Sequence, residues 1–112
     1  EIKVKRELIS EKTEKGGLFS GGTGYKNYHY RITLENYHTS PQKITVLDQF
    51  PVSQSPDITV ELAEISPPSI EIKDYEQPGI LSWKLVLPPG LKKAINFKFT
   101  VEYPKDKELS NL

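Results

Sequence analysis

The side chains that could perform catalysis or bind a metal are few and widely spaced. The chain has two histidines, His29 and His38, and no cysteine. Two histidines at this spacing match no standard ligand pattern, and the lack of cysteine excludes cysteine zinc sites, iron–sulfur clusters, disulfides and thiol nucleophiles. We therefore expect no resident metal or cofactor.

No other group of residues forms a catalytic motif. No G-x-S-x-G string is present, and such a string would mark a serine nucleophile on a strained turn. Five serines fall in loop-like contexts: Ser10, Ser20, Ser53, Ser55 and Ser66. The carboxylate pairs Glu61 with Glu64 and Glu71 with Asp74 fit the solvated outer face of strands. Since no set supplies a nucleophile, a base and a stabilising group together, we expect a protein that is not an enzyme.

The glycine-rich segment GGLFSGGTG, residues 16–24, invites comparison with a phosphate-binding loop. Gly17 and Gly22 have the required separation, but Thr23-Gly24 stands where a lysine followed by Ser or Thr is needed. The segment is better explained as a flexible loop over residues 15–24 between two strands. Leu18 and Phe19 lie at its centre, where they either dock onto a neighbouring protein or fold back over the end of the domain.

Length and charge restrict the possible partners. The chain has 112 residues, and 15 Lys and Arg balance 15 Asp and Glu. This length suits one domain, residues 1–112, and the zero net charge offers no basic excess for nucleic acid. No apolar run reaches the roughly 18 residues of a membrane span. Because the chain begins with Glu1 and contains no methionine, we expect it to be an excised domain of a longer protein.

Alternating apolar and polar residues predict seven strands. They cover residues 2–8, 28–35, 44–50, 58–63, 70–72, 81–87 and 94–103. Pro89 and Gly90 suit a type II turn, so the last two strands are predicted to form a hairpin. Seven short strands predict an all-β fold, an immunoglobulin-like antiparallel β-sandwich of about seven strands, because one sheet of this size would leave an apolar face in water. The term describes architecture alone, since the Cys…Trp…Cys pattern is absent.

Three residues are predicted to have structural roles. The parities of Trp83 and Phe97 place both in the core between the sheets. Asp48 shares the inward parity of its strand, and a carboxylate there must be hydrogen-bonded or paired. We expect Asp48 to lie at the end of its sheet or to accept hydrogen bonds from backbone amides of the turn at residues 51–55.

Four strings together point to a family. They are YRITLEN at residues 30–36, ITVLDQFPVS at 44–53, GILSWKLVLPPG at 79–90 and VEYPKD at 101–106. In these strings the chain resembles the C-terminal domain of the mucoidy-inhibitor-A-like proteins. The resemblance implies a β-rich domain that follows a coiled-coil-containing N-terminal region and whose biochemical role is not established. It brings no catalytic residues.

Two classes of function remain. The favoured one is a non-catalytic interaction or scaffold module whose partner is its own N-terminal region, another copy or another protein. The alternative is a carbohydrate-binding module that stacks sugars on Tyr25, Tyr37 and Tyr75, which do not fit the inward parities. A row of coplanar exposed rings would favour sugar, whereas an uncovered apolar patch or an open sheet edge would favour protein docking.

Overall fold

The prediction of an all-β sandwich is confirmed. The computed structural model describes residues 1–15, 22–68, 71–73 and 79–105. Its strands are β1 (Ile2–Lys15), β2 (Thr23–Asn36), β3 (Gln42–Gln49), β4 (Thr59–Ser66), β5 (Glu71–Lys73), β6 (Ile80–Leu87) and β7 (Lys92–Pro104). Among these residues there is no helix long and apolar enough to cross a membrane.

The strands form two antiparallel sheets. Sheet A has the order β1-β2-β7-β4 and sheet B has the order β3-β6-β5. In an immunoglobulin constant domain the fifth strand pairs with the second and the seventh with the sixth. Here β7 lies beside β2, and β5 lies beside β6. The fold therefore shares the two-sheet architecture of that domain but has a different strand order.

The predicted hairpin between the last two strands is wrong. β6 belongs to sheet B, whereas β7 belongs to sheet A and pairs with β2 on one side and β4 on the other. The turn itself forms, since the Leu91 amide donates to the Pro88 carbonyl at 3.3 Å and Gly90 has a φ of 73°. β7 has no edge left for β6, so this turn carries the chain from one sheet to the other.

The alternation of β2, β6 and β7 produces the core. Trp83 and Phe97 are fully buried, and their ring centroids lie 6.1 Å apart across the two sheets. The Trp83 indole donates its Nε1 hydrogen to the Pro67 carbonyl at 2.9 Å, so the polar atom of the ring is satisfied. The other buried apolar residues of this core are Ile32, Leu34, Val46, Leu81, Leu87, Ile95, Phe99 and Val101.

One buried polar residue connects two of the chain crossings between sheets. The side-chain nitrogen Nδ2 of Asn36 donates to the backbone carbonyls of Ser40 and Leu87 at 3.0 and 2.9 Å. Its side-chain oxygen Oδ1 accepts from the backbone amide of His38 at 2.8 Å. Its backbone carbonyl accepts from the Gly90 amide at 2.9 Å. Asn36 thereby holds the β2–β3 loop against the β6–β7 turn.

The first two strands extend farther than the sequence predicts. β1 runs to Lys15 and β2 begins at Thr23, so both ends of the predicted loop at residues 15–24 are strand. Leu18 and Phe19 lie outside the described residues. The register of β1 against β2 shifts between Leu8 and Ser10, so Ile9 is a bulge residue. After the bulge the alternation of inward and outward side chains along β1 is reversed, and the regular part of the strand ends at Leu8.

Candidate interaction surface

The polar face of sheet A holds most of the groups that could do chemistry. His29 Nε2 lies 2.9 Å from Asn96 Oδ1, which also accepts from Arg31 Nε at 3.0 Å. Ser10 is the cross-strand partner of His29, but the imidazole bonds to Asn96, and no carboxylate among the described residues orients it. These hydrogen bonds therefore do not build a catalytic triad of nucleophile, base and carboxylate.

A shallow depression of about 200 Å³ lies on the same face. Thr100 Oγ1 donates to Asn27 Oδ1 at 2.8 Å, and Lys98 Nζ lies 3.4 Å from a Glu64 carboxylate oxygen. Three polar side chains of the depression are therefore already paired, as on an ordinary solvated sheet face. The depression is lined by Ser10, Lys12, Asn27, Tyr28, His29, Ala63, Lys98, Phe99 and Thr100.

The remaining candidate groups are scattered. His38 is exposed in the β2–β3 loop, whereas His29 lies in the middle of β2. Ser53 and Ser55 bond to each other, the Ser53 hydroxyl donating to the Ser55 carbonyl at 2.6 Å. Asp74 lies outside the described residues, as does Ser20. Within the described ranges no three His, Asp or Glu residues lie close enough to hold a metal ion.

Asp48 is paired, but with a partner that the sequence did not indicate. Its carboxylate accepts from Arg6 Nε at 2.8 Å and from Arg6 Nη2 at 3.3 Å, and also from the Gln49 amide at 2.7 Å. Asp48 lies one residue before the end of β3, and its bonds go to Arg6 of β1 and to the neighbouring Gln49 amide in place of the turn amides at 51–55. The hydrogen bond with Asp48 raises the pKa of the Arg6 guanidinium.

Arg6 also connects sheet A to sheet B at one side of the sandwich. Its guanidinium carbon lies 4.2 Å from the centroid of the Tyr30 ring. At this distance the cation is attracted to the face of the ring in a cation–π interaction. Asp48 is a β3 residue and Arg6 a β1 residue, so β1 and β3 lie at the same side of the sandwich. A charged residue that interrupts the apolar parity of β1 is thus a bridge between the sheets.

The tyrosines proposed to stack on sugars do not form a row, and Tyr25 is not exposed. Tyr37 is exposed and donates its hydroxyl to Glu35 Oε1 at 2.8 Å, a bond that raises the pKa of Tyr37. Tyr25 is half-buried near the other end of β2, roughly 40 Å away at about 3.3 Å per residue. Tyr75 lies outside the described residues. Tyr25 and Tyr37 therefore cannot stack on one short sugar.

The regular part of β1, residues 2–8, is an open and partly apolar edge. β1 is the outermost strand of sheet A, and within the described residues it pairs with β2 alone. Val4 is 59% exposed and Leu8 46% exposed, although both point toward the inner face, Val4 beside the buried Leu34 and Leu8 beside the half-buried Tyr30 of β2. A strand that leaves backbone groups and apolar side chains unpaired is a template for another strand.

The polar side chains of this edge are mainly cationic. Lys3 and Lys5 lie on the outer face, one on each side of the inward-pointing Val4 along the strand. Lys5 Nζ lies 3.8 Å from a Glu7 carboxylate oxygen. Lys3 makes no ion pair with any described residue. The residues that carry this surface were not singled out by the sequence, because Arg6 interrupts the apolar alternation of β1 and only the strand order shows that β1 is an edge.

Comparison with known proteins assigns the chain to a family. Residues 1–105 match the family described as "Domain of unknown function (DUF4139)". The chain belongs to this family, whose description assigns it no function. Searches of curated proteins and of solved structures each gave no match.

Proposed function

We propose that the chain is a non-catalytic interaction module that binds an extended segment of a protein partner along the open edge of β1. The observation that supports this most is the exposure of Val4 and Leu8 on a strand that pairs on one side only among the described strands. Addition of a strand there would pair the free backbone groups and cover both side chains.

The charge of the edge suggests what the segment looks like. An incoming strand that alternates apolar and acidic residues would place apolar side chains beside Val4 and carboxylates beside Lys3 and Lys5. Lysine on an edge opposes indiscriminate pairing, and it becomes favourable only when the partner brings the opposite charge. The edge is thus selective for acidic strands.

The family resemblance supports the same proposal. A C-terminal domain of a mucoidy-inhibitor-A-like protein would have its own N-terminal region at hand as a docking partner. No constellation in the described residues supports catalysis, and the separation of Tyr25 and Tyr37 argues against the carbohydrate alternative.

Peptide titration tests the proposal. Synthetic ten-residue peptides that strictly alternate valine with glutamate, or valine with lysine, are added to isotope-labelled protein, and amide chemical shifts are followed by NMR. We expect the glutamate peptides to shift amides of residues 2–8 and the lysine peptides to bind much more weakly.

A variant and its control make the test specific. Val4→Pro removes a backbone donor from the edge strand and should abolish the shifts, whereas Val86→Ser, an equally exposed position on sheet B, should leave them unchanged. Shifts confined to other surfaces, or none with either peptide, would refute the proposal.

A further inference from the structure

The opposite edge of sheet A complements the edge of β1. β4 is the other outermost strand, and within the described residues it pairs with β7 alone. Val60 and Leu62 point toward the inner face, since they are half-buried against the core. Glu61 points outward, is exposed and makes no ion pair with any described residue.

Strand directions allow the two edges to meet in adjacent copies. β1 is antiparallel to β2, β2 to β7 and β7 to β4, so β4 runs antiparallel to β1. A second copy displaced along the sheet, without being turned over, therefore brings its β4 beside β1 in the antiparallel sense. The apolar face of one sheet then continues into the apolar face of the next.

We infer that this domain associates head to tail with a second copy of itself, the β1 edge of one copy pairing with the β4 edge of the next. This inference rests on the proposed function and names its partner. It goes beyond an acidic strand in general because the chain itself carries such a strand at the correct place and in the correct direction.

One register matches the side chains of both faces. With Lys3 opposite Glu61, Val4 lies opposite Val60 and Ile2 opposite Leu62. Directly opposed side chains of an antiparallel pair lie about 5 Å apart, so the apolar pairs pack and the two unpaired charges of opposite sign meet. The pairing stops at the bulge after Leu62, where the register of β4 shifts.

The contact is not self-complementary in the manner of a two-fold dimer. Each copy uses a different edge for each neighbour, so one contact leaves a free β1 at one end and a free β4 at the other. Such a contact produces open chains of increasing length with rising concentration, and no closed dimer.

Charge-reversal variants test the inference without relying on loss of function alone. Sedimentation velocity of the full chain should show a weight-average mass that rises with protein concentration. Lys3→Glu opposes two carboxylates and Glu61→Lys opposes two ammonium groups, so each variant alone should associate at least fivefold more weakly than the wild type.

Mixing the two variants gives the decisive measurement. In an equimolar mixture every contact between unlike chains is again a Glu–Lys pair, so association should return toward the wild-type level. A misfolded variant could not restore it. Lys43→Glu, with the same charge change on an exposed position of β3, should associate as the wild type does.

Three results would overturn the inference. They are a wild-type chain that stays monomeric at all concentrations, single variants that associate normally, and a mixture that fails to recover. If glutamate peptides shift the β1 amides while the wild type stays monomeric, the proposed function stands and only the identity of the partner is wrong.

Discussion

Replacing Asn36 by alanine should lower the free energy of unfolding by about 4 kcal/mol. The change removes three side-chain hydrogen bonds, to the Leu87 and Ser40 carbonyls and from the His38 amide. The bond to Leu87 is buried, and an unsatisfied buried group costs about 1–3 kcal/mol. The two part-buried bonds contribute about 0.5–1.5 kcal/mol each, which gives a total of about 2–6 kcal/mol.

This loss is large compared with the usual stability of a domain, about 5–15 kcal/mol. For a chain of this size it corresponds to a fall in thermal midpoint of roughly 15 °C. Urea denaturation followed by tryptophan fluorescence measures the free energy directly, because Trp83 is buried and its environment changes on unfolding. Differential scanning calorimetry gives the midpoint.

Two further variants separate hydrogen bonding from the loss of side-chain volume. Asn36→Asp keeps the shape and the acceptor for the His38 amide but turns the donor toward Leu87 into an acceptor, so it should be at least as destabilising as alanine. Asn96→Ala, on the half-buried polar face where water can replace the lost bonds, should cost less than about 1 kcal/mol. Asn36→Asp within about 1 kcal/mol of the wild type would refute the reasoning.

Three other expectations follow from the core and its titrating groups. Trp83→Ala should cost about 3–5 kcal/mol by chemical denaturation, and a variant that melts like the wild type would contradict the placement of this ring in the core. Arg6→Met should cost about 1–2 kcal/mol because it leaves the Asp48 carboxylate with less compensation; the exposed Lys5→Met is the control, and equal effects would exclude a special role for the bridge. Burial raises the pKa of Tyr28 above 10.0, so its neutral form contributes stability that is complete below pH 10 and is lost as the pH rises through the raised value. Tyr28→Phe should therefore flatten the alkaline fall in thermal midpoint, and an unchanged fall would show that other groups cause it.

Local pattern explains how far the strands could be predicted. Residues 94–103 alternate strictly, and β7 occupies Lys92–Pro104 with the apolar positions inward. The turn at Pro88 to Leu91 also follows from local chemistry, because Gly90 supplies the positive φ that a type II turn requires. Periodicity and turn geometry depend on neighbours in the chain, so they are visible in the sequence.

The candidate surface could not be read in the same way. Whether a strand is an edge depends on which strands lie beside it, and the order β1-β2-β7-β4 places β1 and β4 at the two ends of sheet A. The bulge at Ile9 likewise depends on the register against β2. Neither fact leaves a mark in the composition or alternation of the strands themselves.

Alternation and turn chemistry are enough to predict that this chain is built from strands, that Trp83 and Phe97 lie inside, and that a turn falls at Pro88 to Leu91. Each of these follows from side chains that must leave water or from backbone angles that few residues adopt. The burial of Asn36, the contact of Asp48 with Arg6, and the placement of β6 and β7 in different sheets become visible only in the folded chain. Those outcomes depend on contacts between residues far apart in the chain, 42 positions for Arg6 and Asp48, and a local pattern carries no information about which distant partner satisfies a buried polar group.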